Sequence, residues 1–197
     1  HSESVETLLG HIPGLKVVIP STPYDAKGLL ISAIEDPDPV IFMEPKRIYR
    51  SGKQEVPEEM YRIPIGKAKV VKEGNDITVV AWGAIVREVE KAMKLLEGDN
   101  IDIELIDLRT ISPIDEETII NSVKKTGRFV VVQEAAKSYG PGSELITLVN
   151  EKAFLHLEAA PARVTGFDIT VPLPRGEHYH FVQPERIAAE IKKVAKF

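Results

Sequence analysis

Cysteine is absent from this 197-residue chain. That excludes disulfides, thiolate-held zinc and thiol nucleophiles together. Long apolar runs are missing as well. None approaches the roughly 18 residues that a bilayer span requires, and no signal-peptide pattern is visible, so no membrane association and a cytoplasmic location are expected. Aromatic residues contribute 6%, with one Trp, and the net charge is −5. No basic run is interleaved with aromatics, which argues against nucleic-acid binding, whereas a mildly acidic surface suits a basic protein partner. Neither a G-x-G-x-x-G turn nor a phosphate loop ending in Lys-Ser/Thr occurs. A starting Met is lacking too. His1-Ser2 leads straight into an amphipathic stretch, and the expectation is a chain entered partway through a domain.

What is present belongs to a globular protein: 43% hydrophobic and 28% charged residues. The length suits one ordinary domain or two small ones. The first sixty residues alternate helix and strand. A helix is expected over 3–10 and a strand over 16–19. Thr22 then caps a helix with Pro23 at its first position, along which Ala26, Leu29, Leu30, Ala33 and Ile34 form one apolar stripe. Asp36-Pro37-Asp38-Pro39 stops that helix, and Val40 to Met43 is a short strand. Residues 46–66 are charged, irregular and proline-bearing, which places the boundary between two units there (1–60 and 67–197).

The second unit repeats a strand–helix rhythm. Ile77 to Ala81, Ile101 to Ile106 and Phe129 to Val132 read as strands, with Arg163-Val164 a weaker one. Helices run from about Ile85 to Leu96, from a capping box at Ser112-Pro113-Ile114-Asp115 to Gly127, from Pro141 past Val149, and from Pro184 past Val194. Strands separated by helices of this length give an α/β fold with a mainly parallel sheet covered on both faces.

In such a sheet, ligands favour the carboxyl ends of the strands. Asp107, Arg109 and Glu134 lie at such ends and can converge above the Gly140-Pro141-Gly142 helix start to hold an anion. The plainer reading is that the glycines shape a turn while Asp107 and Arg109 form a structural pair. His178 and His180 with Glu177 imitate a metal cluster, but no third ligand is suitably spaced and the flanking Pro and Gly mark a loop. His11 and His156 sit among apolar residues and read as packed or capping.

Several longer runs carry a resemblance. His11 to Pro20, Asp25 to Leu30, Phe42 to Arg50, Asp107-Leu108-Arg109-Thr110-Ile111-Ser112-Pro113, Lys125-Thr126-Gly127-Arg128 and Gln133-Glu134-Ala135, together with His1-Ser2, resemble the β subunit of the 2-oxo acid dehydrogenase E1 component. The likeness covers essentially the whole chain and weakens after Phe167-Asp168. It implies the last part of a thiamine-pyrimidine-binding αβα domain (1–60), then a transketolase C-terminal-type αβα domain (67–197). It also implies an oxidoreductase working as an α2β2 heterotetramer, in oxidative decarboxylation of a 2-oxo acid and acyl transfer to lipoyl-E2. The Glu44-Pro45-Lys46 run leans toward the branched-chain rather than the pyruvate enzymes.

The resemblance further assigns residues. His1 matches the active-site histidine of the family's His-Ser-Gln motif, with Glu3 standing in place of Gln. It implies an imidazole that stabilises oxyanion-type species and passes a proton. Thiamine diphosphate and Mg²⁺ fall mainly to the α subunit and to β residues upstream, since no Gly-Asp-Gly…Asn run occurs. This polypeptide alone is therefore expected to be inert. Backbone carbonyls of Ala33, Asp36 and Asp38 match positions that hold potassium in some members. Glu158 and Phe197 match positions implicated in docking the basic subunit-binding domain of the E2 acyltransferase, beside a β–β dimer contact. Two rivals stay open: a dimerisation or E2-docking module without chemistry, and the C-terminal part of a transketolase or deoxyxylulose-phosphate synthase.

Overall fold

A computed structural model describes residues 3–197. The chain opens with α1 (Glu6–Gly10), β1 (Lys16–Val18), α2 (Pro23–Glu35) and β2 (Val40–Phe42), followed by a 3-10 turn over Lys46–Ile48. Thr22 caps α2 by accepting the Asp25 amide, with Pro23 opening the first turn. The helix ends because Asp36 precedes Pro37 and is driven to an extended conformation, ψ 133°.

After the irregular stretch come β3 (Lys69–Lys72), β4 (Ile77–Ala81), α3 (Ile85–Leu95), β5 (Ile103–Asp107), β6 (Thr110–Ser112), α4 (Glu116–Thr126) and β7 (Phe129–Ala136). Then follow α5 (Pro141–Ala153), β8 (Ala162–Gly166), α6 (Glu177–His180) and α7 (Pro184–Ala195). Two of these strands differ from the sequence expectation. β3 is a half-buried antiparallel edge. β6 takes Ser112 into a ladder, so Ser112 cannot cap α4. Instead Asp115 is the cap, accepting from the Thr118 amide at 3.3 Å and the Thr118 hydroxyl at 2.9 Å. At the far end Gly127 adopts φ 68° and closes α4, with Lys124 and Lys125 in its last turn.

The main sheet has the order β3-β5-β4-β7-β8, parallel apart from β3. Its strands are apolar on both faces. Ile77, Val79, Val130 and Val132 point to a core built with α3 and α7. Val80, Phe129 and Val131 point the other way, to a core built with α4 and α5. This alternation within continuous apolar runs is what a doubly covered parallel sheet demands. A second sheet has the order β2-β1-β6, with β1 parallel to β2 and antiparallel to β6. Thus β6, from the second half of the chain, completes the sheet of the first half. Val17 and Ile19 accordingly belong to the same core as Trp82 and Leu145.

Candidate functional site

Strand order reverses at β4, which has β5 on one side and β7 on the other. The crevice between the carboxyl ends of β4 and β7 is therefore the position where an open parallel sheet usually receives a ligand. Here it receives a side chain of the same chain. Glu6, on α1, is 3% exposed, and its Oε1 accepts the indole N–H of Trp82 at 3.2 Å. Burial pushes the Glu6 carboxyl above its ordinary range, its own amide and the Trp82 N–H pull it back, and the Glu134 charge pushes it up again. Glu134 is raised as well, first by burial, with Arg47 and His180 opposing and Glu88 reinforcing. Glu88 in turn pairs with Arg47 and with Lys91, each at 3.0 Å.

A second buried network lies at the end of β5. Arg109 pairs with Asp25 of α2, and the Ser21 hydroxyl donates to Asp107. The Arg109 amide donates to Asp107 Oδ1 at 3.1 Å, with Arg109 held at φ 57°. Asp107 has no exposed surface, and burial, with Asp25 adding to it, raises its pKa to about 7 against the pull of Ser21 and Arg109. This group can gain or lose a proton near neutrality. A cavity of about 520 Å³ adjoins the network, lined by Ser21, Asp25 and Asp107 with Lys53, Lys69 and Arg87 at its margins.

These positions correct the expected convergence of Asp107, Arg109 and Glu134. Asp107 and Arg109 turn to the start of α2, whereas Glu134 turns to Arg47, His180 and Glu6. Nor is the glycine-bearing start of α5 open to an anion. Gln133 accepts the Gly142 amide at 2.7 Å and donates to the Ala136 carbonyl at 2.7 Å. A Cβ on Gly140 would stand 1.9 Å from Gln133 Nε2, so the glycine is there to admit that amide. Gln133 is a cap that the sequence pattern does not disclose, because it sits on β7, nine residues before the Gly142 amide that it accepts in the first turn of α5.

The remaining histidines separate. His180 is buried, edge-on to Phe167 with ring centroids 6.3 Å apart, in the short α6 where a loop was expected. His178 lies against Tyr179. His11 and His156 are exposed rather than packed; His11 closes α1 through its backbone amide. Among the described residues no group of three or more His, Asp or Glu is arranged to hold a metal.

His1 lies outside the described residues. At the end of α2 the Lys16 ammonium pairs with Asp36 at 2.7 Å and Asp38 at 3.0 Å, and the Asp38 amide donates to Asp36 at 2.9 Å. The Asp36 hydrogen bond, then that of Asp38, raises Lys16, and Lys16 lowers Asp36. One ammonium, supplied by the protein, thus already pairs with both carboxylates there. Glu158 is exposed and pairs with Arg128 at 2.7 Å. Phe197 is 86% exposed and borders a cavity of about 460 Å³ with Ala159, Ala160, Pro161 and Lys193.

The described residues do not by themselves suit thiamine diphosphate. The α5 start, where a diphosphate could bind, is filled by Gln133, and the acidic groups near the strand ends are bonded to Arg109, Ser21 and Trp82. Among the described residues, no helix is long and apolar enough to cross a membrane.

Comparison with known proteins places these features in a lineage. Residues 66–187 match the transketolase C-terminal domain, and residues 1–52 match the transketolase pyrimidine-binding domain. The chain is 78% identical over 196 residues to the pyruvate dehydrogenase E1 component subunit beta of Acholeplasma laidlawii, covering 100% of this chain and 60% of that protein. It is 49% identical to the subunit of the same name in Bacillus subtilis, covering 61% of it. The chain thus spans about three-fifths of these relatives. Among solved structures it superposes on a split-gene transketolase in an inactive β4 tetramer, with a TM-score of 0.80 and 26% identity over 98% of this chain and 62% of that one. A Pichia stipitis transketolase, at 14% identity, covers 95% of this chain and 26% of its own with a TM-score of 0.61, and shares the fold.

Proposed function

Because this chain belongs to the transketolase family, whose C-terminal domain model matches residues 66–187, we propose that it serves as part of the β subunit of a thiamine diphosphate-dependent 2-oxo acid dehydrogenase. The observation that carries this reading is the 78% identity, sustained over the full chain, to a pyruvate dehydrogenase E1 beta subunit. That relative's name favours pyruvate over the branched-chain acids toward which the Glu44-Pro45-Lys46 run leans. In this reading the cofactor, when bound, supplies the carbanion chemistry, and its Mg²⁺ and diphosphate contacts come from an α subunit and from parts of the β relatives that this chain does not span.

His1 would hold and move a proton near the reacting carbon during acyl transfer, a task suited to an imidazole that titrates near neutrality. Ala33, Asp36 and Asp38 would contribute backbone carbonyls to a potassium ion while Lys16 holds the two aspartate side chains. Residues 1–60 and 67–197 would form the two functional units. The face around Phe197, with Ala159 to Pro161 and neighbouring Glu158, would receive the E2 subunit-binding domain. An acidic residue beside a small apolar cavity selects a basic, partly apolar partner. A second β subunit would pair with this one in the assembled heterotetramer.

The experiment is reconstitution with the matching α subunit, thiamine diphosphate and Mg²⁺, reading 2-oxo acid decarboxylation with pyruvate and a branched-chain 2-oxo acid side by side. The isolated chain should be inactive, and turnover should depend on both α and the complete β. Decarboxylation by the chain without α would overturn the reading. So would failure of α and complete β to turn over either acid. Binding of the E2 domain should weaken about tenfold in Glu158→Lys, read by titration calorimetry.

A further inference from the structure

The crevice at the strand-order reversal holds a carboxylic acid from the opposite end of the chain, and the proposed reaction does not use it. α1 has five residues and no side-chain cap at its start. A helix that short has almost no stability of its own and stands only where tertiary contacts hold it. Its last turn is held by Leu9, packed on the core beneath β6, and by Gly10, where a Cβ would lie 3.2 Å from Ile111. Its first turn is held by Glu6, buried against Trp82.

We propose that Glu6 is a positioning residue: seated in the switch-point crevice and gripped by the Trp82 N–H, it fixes the start of α1, which follows His1 by five residues in the sequence. The inference rests on the function proposed above for its link to catalysis. Two features set Glu6 apart from an ordinary packed side chain. An apolar residue would fill the space more cheaply, since burying a carboxyl without full compensation is costly. Yet the indole N–H, itself buried, needs an acceptor, and Glu6 supplies it. Among the described residues, the groups facing Glu6 are Trp82 and Glu134. Trp82 follows β4, Glu134 lies in β7, and beyond Glu134 come Arg47, Glu88 and His180.

The Glu6 carboxyl is raised, so the seat is firmest with the acid protonated and loosens as pH climbs through that raised value. Glutamine keeps an acceptor for the indole without the charge. Alanine keeps neither.

The test uses the chain itself, whose single Trp is the residue that grips Glu6. Between about pH 4 and about pH 8, Trp emission should change above the ordinary Glu range, and Glu6→Gln should remove the part of that change due to Glu6, leaving what Glu134 and Asp107 contribute. Histidine-ring NMR reads the consequence. Glu6→Ala should move the His1 ring signals, assigned through His1→Gln, and leave those of exposed His156 in place, while Glu6→Gln leaves His1 unmoved. Should Glu6→Ala fail to fold, Trp82→Phe removes the N–H instead and should move His1 in the same way. A transition undiminished in Glu6→Gln, or His1 signals indifferent to loss of the contact, overturns the proposal.

In the assembled enzyme Glu6→Ala should lower kcat about tenfold with KM little changed, and Glu6→Gln should recover activity to within about twofold. An unchanged kcat in Glu6→Ala counts against the positioning role. An assembled wild type without any 2-oxo acid turnover would instead remove the proposed function, and the emission and NMR readings would still decide the place of Glu6.

Discussion

Asp107 is a buried residue whose ionisation bears on stability. Its folded pKa of about 7 exceeds the ordinary 3.8, and it is wholly buried. The folded chain therefore binds that proton more tightly than the unfolded chain does. The resulting stabilisation is full below about pH 4 and is lost as pH rises through about 7. Asp107→Asn keeps the group neutral throughout. Its stability relative to wild type should climb across that window by an amount on the order of 1–3 kcal/mol, measured by urea unfolding at successive pH values. A difference that stays flat with pH would show that Asp107 is ionised in the fold. The sequence marked Asp107 and Arg109 as notable through their place at a strand end. It did not show their partners, because Ser21 and Asp25 lie 86 and 84 residues away along the chain. Glu6 was invisible for the same reason: in a short amphipathic stretch it looks like one more solvated acid until Trp82 is brought over it.

At the level of elements, caps and apolar stripes show how far local pattern reaches. Thr22-Pro23, the Asp36-Pro37 stop and the Lys124-Lys125-Gly127 ending were legible because each acts within a turn or two of itself. The cap of α4 was misplaced by three residues because Ser112 was claimed by pairing with distant Val17. The start of α5 is the sharper case. Gln133→Ala should leave the Gly142 amide and the Ala136 carbonyl without their partner and cost about 2–4 kcal/mol. Gly140→Ala should also destabilise, since its Cβ would collide with the Gln133 amide. The double variant should cost less than the two summed, a coupling that chemical denaturation of the four proteins would reveal. The α2 stripe behaves differently from its pattern. Leu29 is buried, but Leu30 is 40% and Ile34 75% exposed. Ile34→Lys should accordingly change the stability of this chain by less than about 0.5 kcal/mol, and a larger loss in thermal melts would place that side chain in the core.

For the whole molecule, the strand–helix rhythm sufficed to read a mainly parallel sheet with both faces covered, since strands separated by helices of ten or more residues pair in parallel. It did not disclose that β6 leaves the second unit to pair with β1, because three residues carry too little pattern to name a sheet. One core consequently includes Val17 and Ile19 beside Val131 and Leu145. Unfolding should be a single cooperative event: Trp82 emission and far-ultraviolet circular dichroism should lose signal at the same urea concentration. Separate midpoints would mean that the two sheets melt independently. The stitch by β6 also sets an order on biosynthesis. On the ribosome, β1 and β2 emerge well before Thr110–Ser112 exists, so β1 waits for its β6 partner while three of the five strands of the main sheet are translated. A nascent chain paused before that strand would expose β1 to whatever chaperone or neighbouring polypeptide reaches it first.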